Sequence, residues 1–224
     1  MNLDLDAIAK AIKKWDNTRR NTGLMQVLFS EGNSFTFNYP SLNTTEETFL
    51  HSYLGVITND KGKDFLKLFI IESDRDTKKQ YESPEGIRPY IRVIDINTVP
   101  PKNNVPEDEA KERIEKWVTS RDAWIAHQVQ TDNIIPQIYA IPTRYLTTNP
   151  LYHAYFALNR KQEKEVITDI SNYKGDMIVW DTKSEVITYP KAVDANAYFN
   201  TVRLVPPLFP PHEFFLLEHA TKSV

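Results

Sequence analysis

Leu5, Ile8, Ala9, Ile12 and Trp15 recur at the spacing of an amphipathic helix, with Asp4 and Asp6 at the end where the helix dipole favours carboxylates. This pattern predicts one helix ending before Gly23. The period then changes. Leu24 to Phe29 reads as a short apolar strand, and Phe35, Phe37 and Tyr39 alternate with polar residues as a second. The two would form a hairpin across Glu31, Gly32 and Asn33. Tyr53 to Thr58 and Phe65 to Ile71 flank the polar turn Asn59 to Lys63. The second of these is apolar on both faces except at Lys67, which places it at the centre of a sheet. Pro89 to Ile96 gives one more strand.

PPKNNVP at 100–106 breaks the pattern and divides the chain into residues 1–103 and 104–224. Glu107, Asp108 and Glu109 then open a longer helix with Ile114, Trp117, Val118, Trp124 and Ile125 on its apolar stripe. Strands are expected at Ile134 to Ile141, Leu151 to Asn159, Val166 to Ile170 and Met177 to Trp180. The Pro-rich stretch RLVPPLFPPH at 203–212 leads to a final strand at Glu213 to Leu217. That stretch contains Pro207-x-x-Pro210 but lacks a basic residue in docking register, so it is read as a rigid connection.

The order of elements repeats, and so do residues. FLHSYLGVI at 49–57 is echoed by LYHAYFALN at 151–159, and the same shift of 102 aligns Ile12 with Ile114, Lys14 with Lys116, Trp15 with Trp117 and Arg19 with Arg121. It also aligns Pro40 with Pro142, Thr45 with Thr147, His51 with His153 and Tyr53 with Tyr155. Gln26-Val27 meets Gln128-Val129 as well, but a strand would then oppose a helix, so that match is set aside. The expected fold is α+β: two tandem related halves, each one helix followed by about four or five mostly antiparallel strands, packed with pseudo-twofold symmetry into one globule.

Composition narrows the function classes. With 41% hydrophobic and 25% charged residues the chain belongs among globular proteins, and a net charge of −3 offers no basic field for nucleic acid. No apolar run reaches the length of a membrane span, and the expectation is a soluble cytoplasmic protein without membrane or nucleic-acid partners. There are no cysteines, which removes thiolate nucleophiles and cysteine zinc sites. The six glycines, at 23, 32, 55, 62, 86 and 175, spell neither a dinucleotide fingerprint nor a Walker loop, and no cofactor is expected.

His51 and His153 are the candidate catalytic residues, because imidazole exchanges protons near neutrality. Tyr53 and Tyr155 share a strand face with them and are candidate ligand-binding residues. Arg88 and Arg92, four apart on one expected strand, form a possible grip for an anion. Glu72, Asp74 and Asp76 would alternate onto one face as a divalent-ion cluster, although a solvated strand end accounts for the same residues. His212-Glu213 lacks the second histidine of a zinc-protease motif, since Leu216 stands there.

No motif specifies a reaction. The expected function is a binding or assembly module, rather than an enzyme, with a groove for a small ligand or protein partner between the two halves. One alternative is a hydrolase or isomerase using His51 and His153 as acid and base or as ligands of one metal. The other is an interaction protein, an inhibitor or accessory subunit presenting aromatic residues and Pro-rich loops.

Overall fold

The computed structural model describes residues 3–39, 48–97, 108–131, 135–143, 146, 151–160, 169–181, 203–205 and 214–222. These residues form a mixed fold of α-helices and one antiparallel sheet. Helix α1 (Leu5–Thr18) is capped by Asp4, whose carboxylate accepts from the Ala7 amide at 2.8 Å, and α2 (Thr22–Ser30) is capped by Asn21, which accepts from Leu24 at 3.0 Å. Strands β1 (Ser34–Asn38), β2 (Phe49–Thr58) and β3 (Asp64–Glu72) follow, then α3 (Lys78–Tyr81) and β4 (Arg92–Asn97). Next come α4 (Asp108–Gln130), β5 (Ile138–Pro142), β6 (Leu151–Arg160), β7 (Tyr173–Asp181), β8 (Arg203–Val205) and α5 (Phe215–Lys222). No described helix is long and apolar enough to cross a membrane.

The strand order is β7-β6-β1-β4-β3-β2-β5-β8, every pairing antiparallel. The sheet is barrel-like and nearly closed. A ring contact requires this curvature: Tyr139 on β5 and Phe156 on β6 lie 5.9 Å apart although five strand steps separate them in the sheet. A flat sheet would hold them roughly 24 Å apart. The concave side is filled by Phe35, Phe37, Leu54, Leu68, Tyr139 and Phe156 together with Trp15, Phe29 and Trp117 from the helices, so it is a packed core. On the convex side α1 and α5 bury Tyr53, Phe69 and Ile71, and α4 buries Tyr155 and Ala157 beneath Ala110 and Ile114.

Several expectations are corrected. Leu24 to Phe29 is helical, because the Asn21 cap starts a helix whose buried residues Met25, Leu28 and Phe29 follow three-and-four spacing; no hairpin joins it to β1. Gln26-Val27 and Gln128-Val129 therefore both lie in helices, and the reason for setting that match aside disappears. The first helix does end before Gly23, at Thr18, but Gly23 itself falls inside a second, unexpected helix. Val118 is 52% exposed and stands off the α4 stripe. Glu213 to Leu217 is not a strand, since α5 begins at Phe215. The polar turn holds as expected, with Gly62 at φ +76° between β2 and β3, and β3 lies inside the sheet between β4 and β2. The linker at 100–106, the segment at 161–168 and the Pro-rich residues 206–212 lie outside the described residues.

Candidate functional site

Alternation along β2 sends His51 and Tyr53 to the convex face. After β3 the chain turns at once, the Arg75 and Asp76 amides both bonding to the Glu72 carbonyl at 2.9 and 3.0 Å. That turn swings Asp76 back over β2. Its Oδ2 accepts from His51 Nδ1 at 2.7 Å and from the Tyr53 hydroxyl, while Oδ1 accepts from the Leu216 amide at 2.9 Å. Asp76, His51 and Tyr53 are 3%, 4% and 0% exposed. An acceptor-only carboxylate requires the proton on His51 Nδ1. Burial pushes the Tyr53 hydroxyl well above its ordinary pKa, and the neighbouring Asp76 charge adds to this.

The network anchors α5. Asp76 takes the Leu216 amide from the first turn of that helix, so one otherwise orphaned donor is satisfied from outside the helix. Phe214 completes the dock by packing its ring 4.5 Å from His51. A carboxylate orienting an imidazole is also the arrangement of a catalytic base, but the nearby Ser73 hydroxyl accepts from the Phe49 amide at 3.1 Å and makes no hydrogen bond to His51.

Beside this floor opens a cleft of about 560 Å³. Ser73, Asp76, Thr77 and Lys78 form one side; Phe215, Glu218, His219 and Lys222 form the other. Phe215 and His219 give that side an aromatic surface, and Tyr81, 38% exposed, packs against both, 5.3 Å from Phe215 and 4.9 Å from His219. The Thr77 hydroxyl caps α3 through the Gln80 amide at 3.1 Å, and Lys78 and Lys222 pair with Glu82 and Glu218 on their own helices.

The other expected site residues are not gathered here. His153 and Tyr155 lie on β6, separated from β2 by β1, β4 and β3, so His51 and His153 do not share a site. His153 Nδ1 meets the Thr36 hydroxyl at 2.9 Å. Arg88 lies in a short 3-10 turn before β4, so the two arginines do not share one strand: a turn through Pro89 interrupts the extension. Arg88 donates to the Leu3 and Ile91 carbonyls. Arg92 donates to the Asn38 carbonyl at 2.5 Å and stands 4.0 Å from Glu72. Extension also ends at Glu72, so Glu72, Asp74 and Asp76 do not line one face; Asp74 is exposed while Asp76 is buried. Among the described residues no three His, Asp or Glu side chains are grouped to hold a metal.

The sequence did not reveal the carboxylate partner of His51, nor Tyr81, Phe214 and His219. The one available signal for Asp76 was its place just beyond a strand beside the His-x-Tyr face. Compared with known protein families, curated proteins and solved structures, the chain has no match.

Proposed function

We propose that the chain is a binding module built from two related halves, residues 1–103 and 104–224, with its site in the cleft between residues 73–78 of one half and 215–222 of the other. The composition of that cleft carries the proposal: both halves line it, one wall is aromatic, and its buried floor is a polar network whose donors are already paired. Such a site suits a small organic ligand or a side chain with an apolar face and a polar edge.

Strand pairing supports the two related halves. The first four strands in order, β7-β6-β1-β4, become the last four, β3-β2-β5-β8, when β1 to β4 are exchanged for β5 to β8. Registers follow the exchange: Ser34 pairs with Tyr155 and Asn97, as Ile138 pairs with Tyr53 and Val205. The Phe156 amide bonds to the Asn33 carbonyl at 2.9 Å, and the Leu54 amide to the Gln137 carbonyl at 3.0 Å.

A hydrolase or isomerase drawing on both histidines gains no support from their separation in the sheet. The test is a fragment screen of isotope-labelled protein, including aromatic acids and amides. Shifts confined to residues 73–81 and 214–222, abolished by Tyr81→Ala with His219→Ala while the thermal transition is kept, are expected. Shifts elsewhere, or none at millimolar fragment, refute the cleft as the site.

A further inference from the structure

Helices α1 and α4 keep the same inward residues and exchange their surface charge. At the shift of 102, Ile12, Trp15 and Arg19 recur as Ile114, Trp117 and Arg121. Three outward positions of the same alignment reverse sign: Lys10 stands against Glu112, Lys13 against Glu115, and Arg20, just past the α1 cap, against Asp122. Lys13 is partly exposed and the other five are exposed. At 3.6 residues per turn each trio falls within an arc of about 80°. α1 therefore presents a basic stripe and α4 an acidic one.

Neither stripe is neutralised within the chain. Among the described residues Lys10, Lys13, Arg20 and Glu115 form no ion pair. Glu112 pairs with Arg160 and Asp122 with Arg121, yet the two acidic side chains are still 61% and 57% exposed. Charges of the opposite sign nearby do not cancel them: Asp16 is taken by Arg19 and Gln137, and Lys116 lies over the Tyr173 ring at 4.8 Å. Asp6 and Lys111 stand one turn from Lys10 and Glu115 without pairing to them. The acidic stripe also has apolar ground beside it. Of the four large apolar side chains exposed among the described residues, Val118 stands on α4 and Leu24 and Val27 on α2. The two helices are tied where Gln26 donates to the Asp122 carbonyl at 3.0 Å and Arg121 to the Phe29 carbonyl at 2.8 Å.

We infer that the α1 stripe of one copy docks on the α4 stripe of another, so that the protein associates with itself head to tail. A second copy is the occupant because the chain carries both members of the pair in matched number and spacing: with the helices laid parallel, Lys10 faces Glu112, Lys13 faces Glu115 and Arg20 faces Asp122. The stripes do not meet within one molecule. α1 lies on β2 and α4 on β6, and β1, β4 and β3 stand between those strands. Two unlike patches on different sides of a protein make a heterologous contact, which repeats from copy to copy.

The test is sedimentation velocity over a concentration series, with thermal transitions measured alongside to show that every variant is folded. Lys10→Glu with Lys13→Glu turns the basic stripe acidic, and Glu112→Lys with Glu115→Lys turns the acidic stripe basic. Wild type is expected to associate in about 0.02 M salt and to lose about tenfold in association constant in about 0.5 M salt. Each double variant alone should lose at least as much at low salt. An equimolar mixture of the two should recover association, because an acidic α1 then meets a basic α4 and a basic α1 an acidic α4. Lys61→Glu with Lys79→Glu, which changes net charge equally at exposed positions outside both stripes, should associate as wild type does. Wild type that stays monomeric at low salt up to about 1 mM overturns the proposal. So does a mixture as dissociated as its components, or a loss in the Lys61 and Lys79 control equal to that of the stripe variants.

Discussion

Removing the carboxylate of Asp76 by Asp76→Ala leaves three buried donors without an acceptor: His51 Nδ1, the Tyr53 hydroxyl and the Leu216 amide. Hydrogen bonds to a charged group are worth about 1.5–3 kcal/mol each, which bounds the loss near 5–9 kcal/mol. Water entering from the cleft, which Asp76 lines, would re-satisfy part of this set. A loss of about 3–5 kcal/mol is the resulting expectation, in line with breaking a buried charged network from one side. For a chain of this size that lowers Tm by about 6–20 °C. Urea unfolding at pH 7 gives the free energy, and hydrogen exchange at Leu216 and Leu217 reports α5 directly. Asp74→Ala, at an exposed position of the same turn, is the control and should stay within about 0.5 kcal/mol of wild type. Should Asp76→Ala cost less than about 1 kcal/mol, the carboxylate does not anchor α5, and the His51–Asp76 pair must be reconsidered as a functional base.

Gly55→Ala should destabilise by about 1–3 kcal/mol through overpacking, because a Cβ there would sit 2.4 Å from Phe69 Cε2 and 3.1 Å from the Ala11 backbone carbon. Equal stability in urea would show that α1 is free to shift. Trp15→Phe should cost more than Trp117→Phe: the Trp15 indole donates to the Pro136 carbonyl at 3.1 Å, whereas the Trp117 indole nitrogen has no partner among the described residues. The gap should be about 1 kcal/mol, and its reversal in denaturation would contradict the pairing. Burial raises the pKa of Tyr39, Tyr53, Tyr139 and Tyr155, so each contributes stability that is complete below the unfolded value near 10 and lost as pH climbs through the folded one. Absorbance titration should show Tyr53 and Tyr139 ionising only with unfolding; smooth titration of all eleven tyrosines in the folded protein would disprove it.

Where local pattern and tertiary packing agree, the sequence was readable. Phe65 to Ile71 is apolar on both faces because β3 is covered on both, and the Trp15 stripe marks a helix packed on the sheet. Short apolar runs carry no such information. LMQVLF satisfies a buried strand and a buried helix equally, and the deciding residue was Asn21, a cap lying outside the run. The same holds for Glu213 to Leu217: Glu218 and Lys222, one turn apart, signal a helix, but only beyond the apolar residues that suggested a strand. Asp76 was illegible for another reason. Its partners lie 25 and 23 residues back along the chain and 140 residues ahead, and no spacing rule spans such distances.

The residues repeated at a shift of 102 have a common physical character once their surroundings are known. Trp15 and Trp117 are 0% and 1% exposed at the centre of one core, and Phe29 packs edge-on against both. Arg19 donates to the Ile135 carbonyl at 2.9 Å, and Arg121 to the Phe29 carbonyl at 2.8 Å. Each guanidinium thus ties its own helix to backbone in the other half of the chain, where a fixed fork of donors serves better than a flexible ammonium. Tyr53 and Tyr155 are buried beneath helices on the convex face. Other corresponding positions differ: Ala140 stands opposite His51 where Thr36 stands opposite His153, and Gly55 lies beneath α1 where Ala157 lies beneath α4. The repeated residues described here therefore mark packing, and under the proposed duplication function is better sought where the two stretches differ. The cleft beside α5 is such a place, because the helix that forms one of its walls has no counterpart among the described residues of the first half.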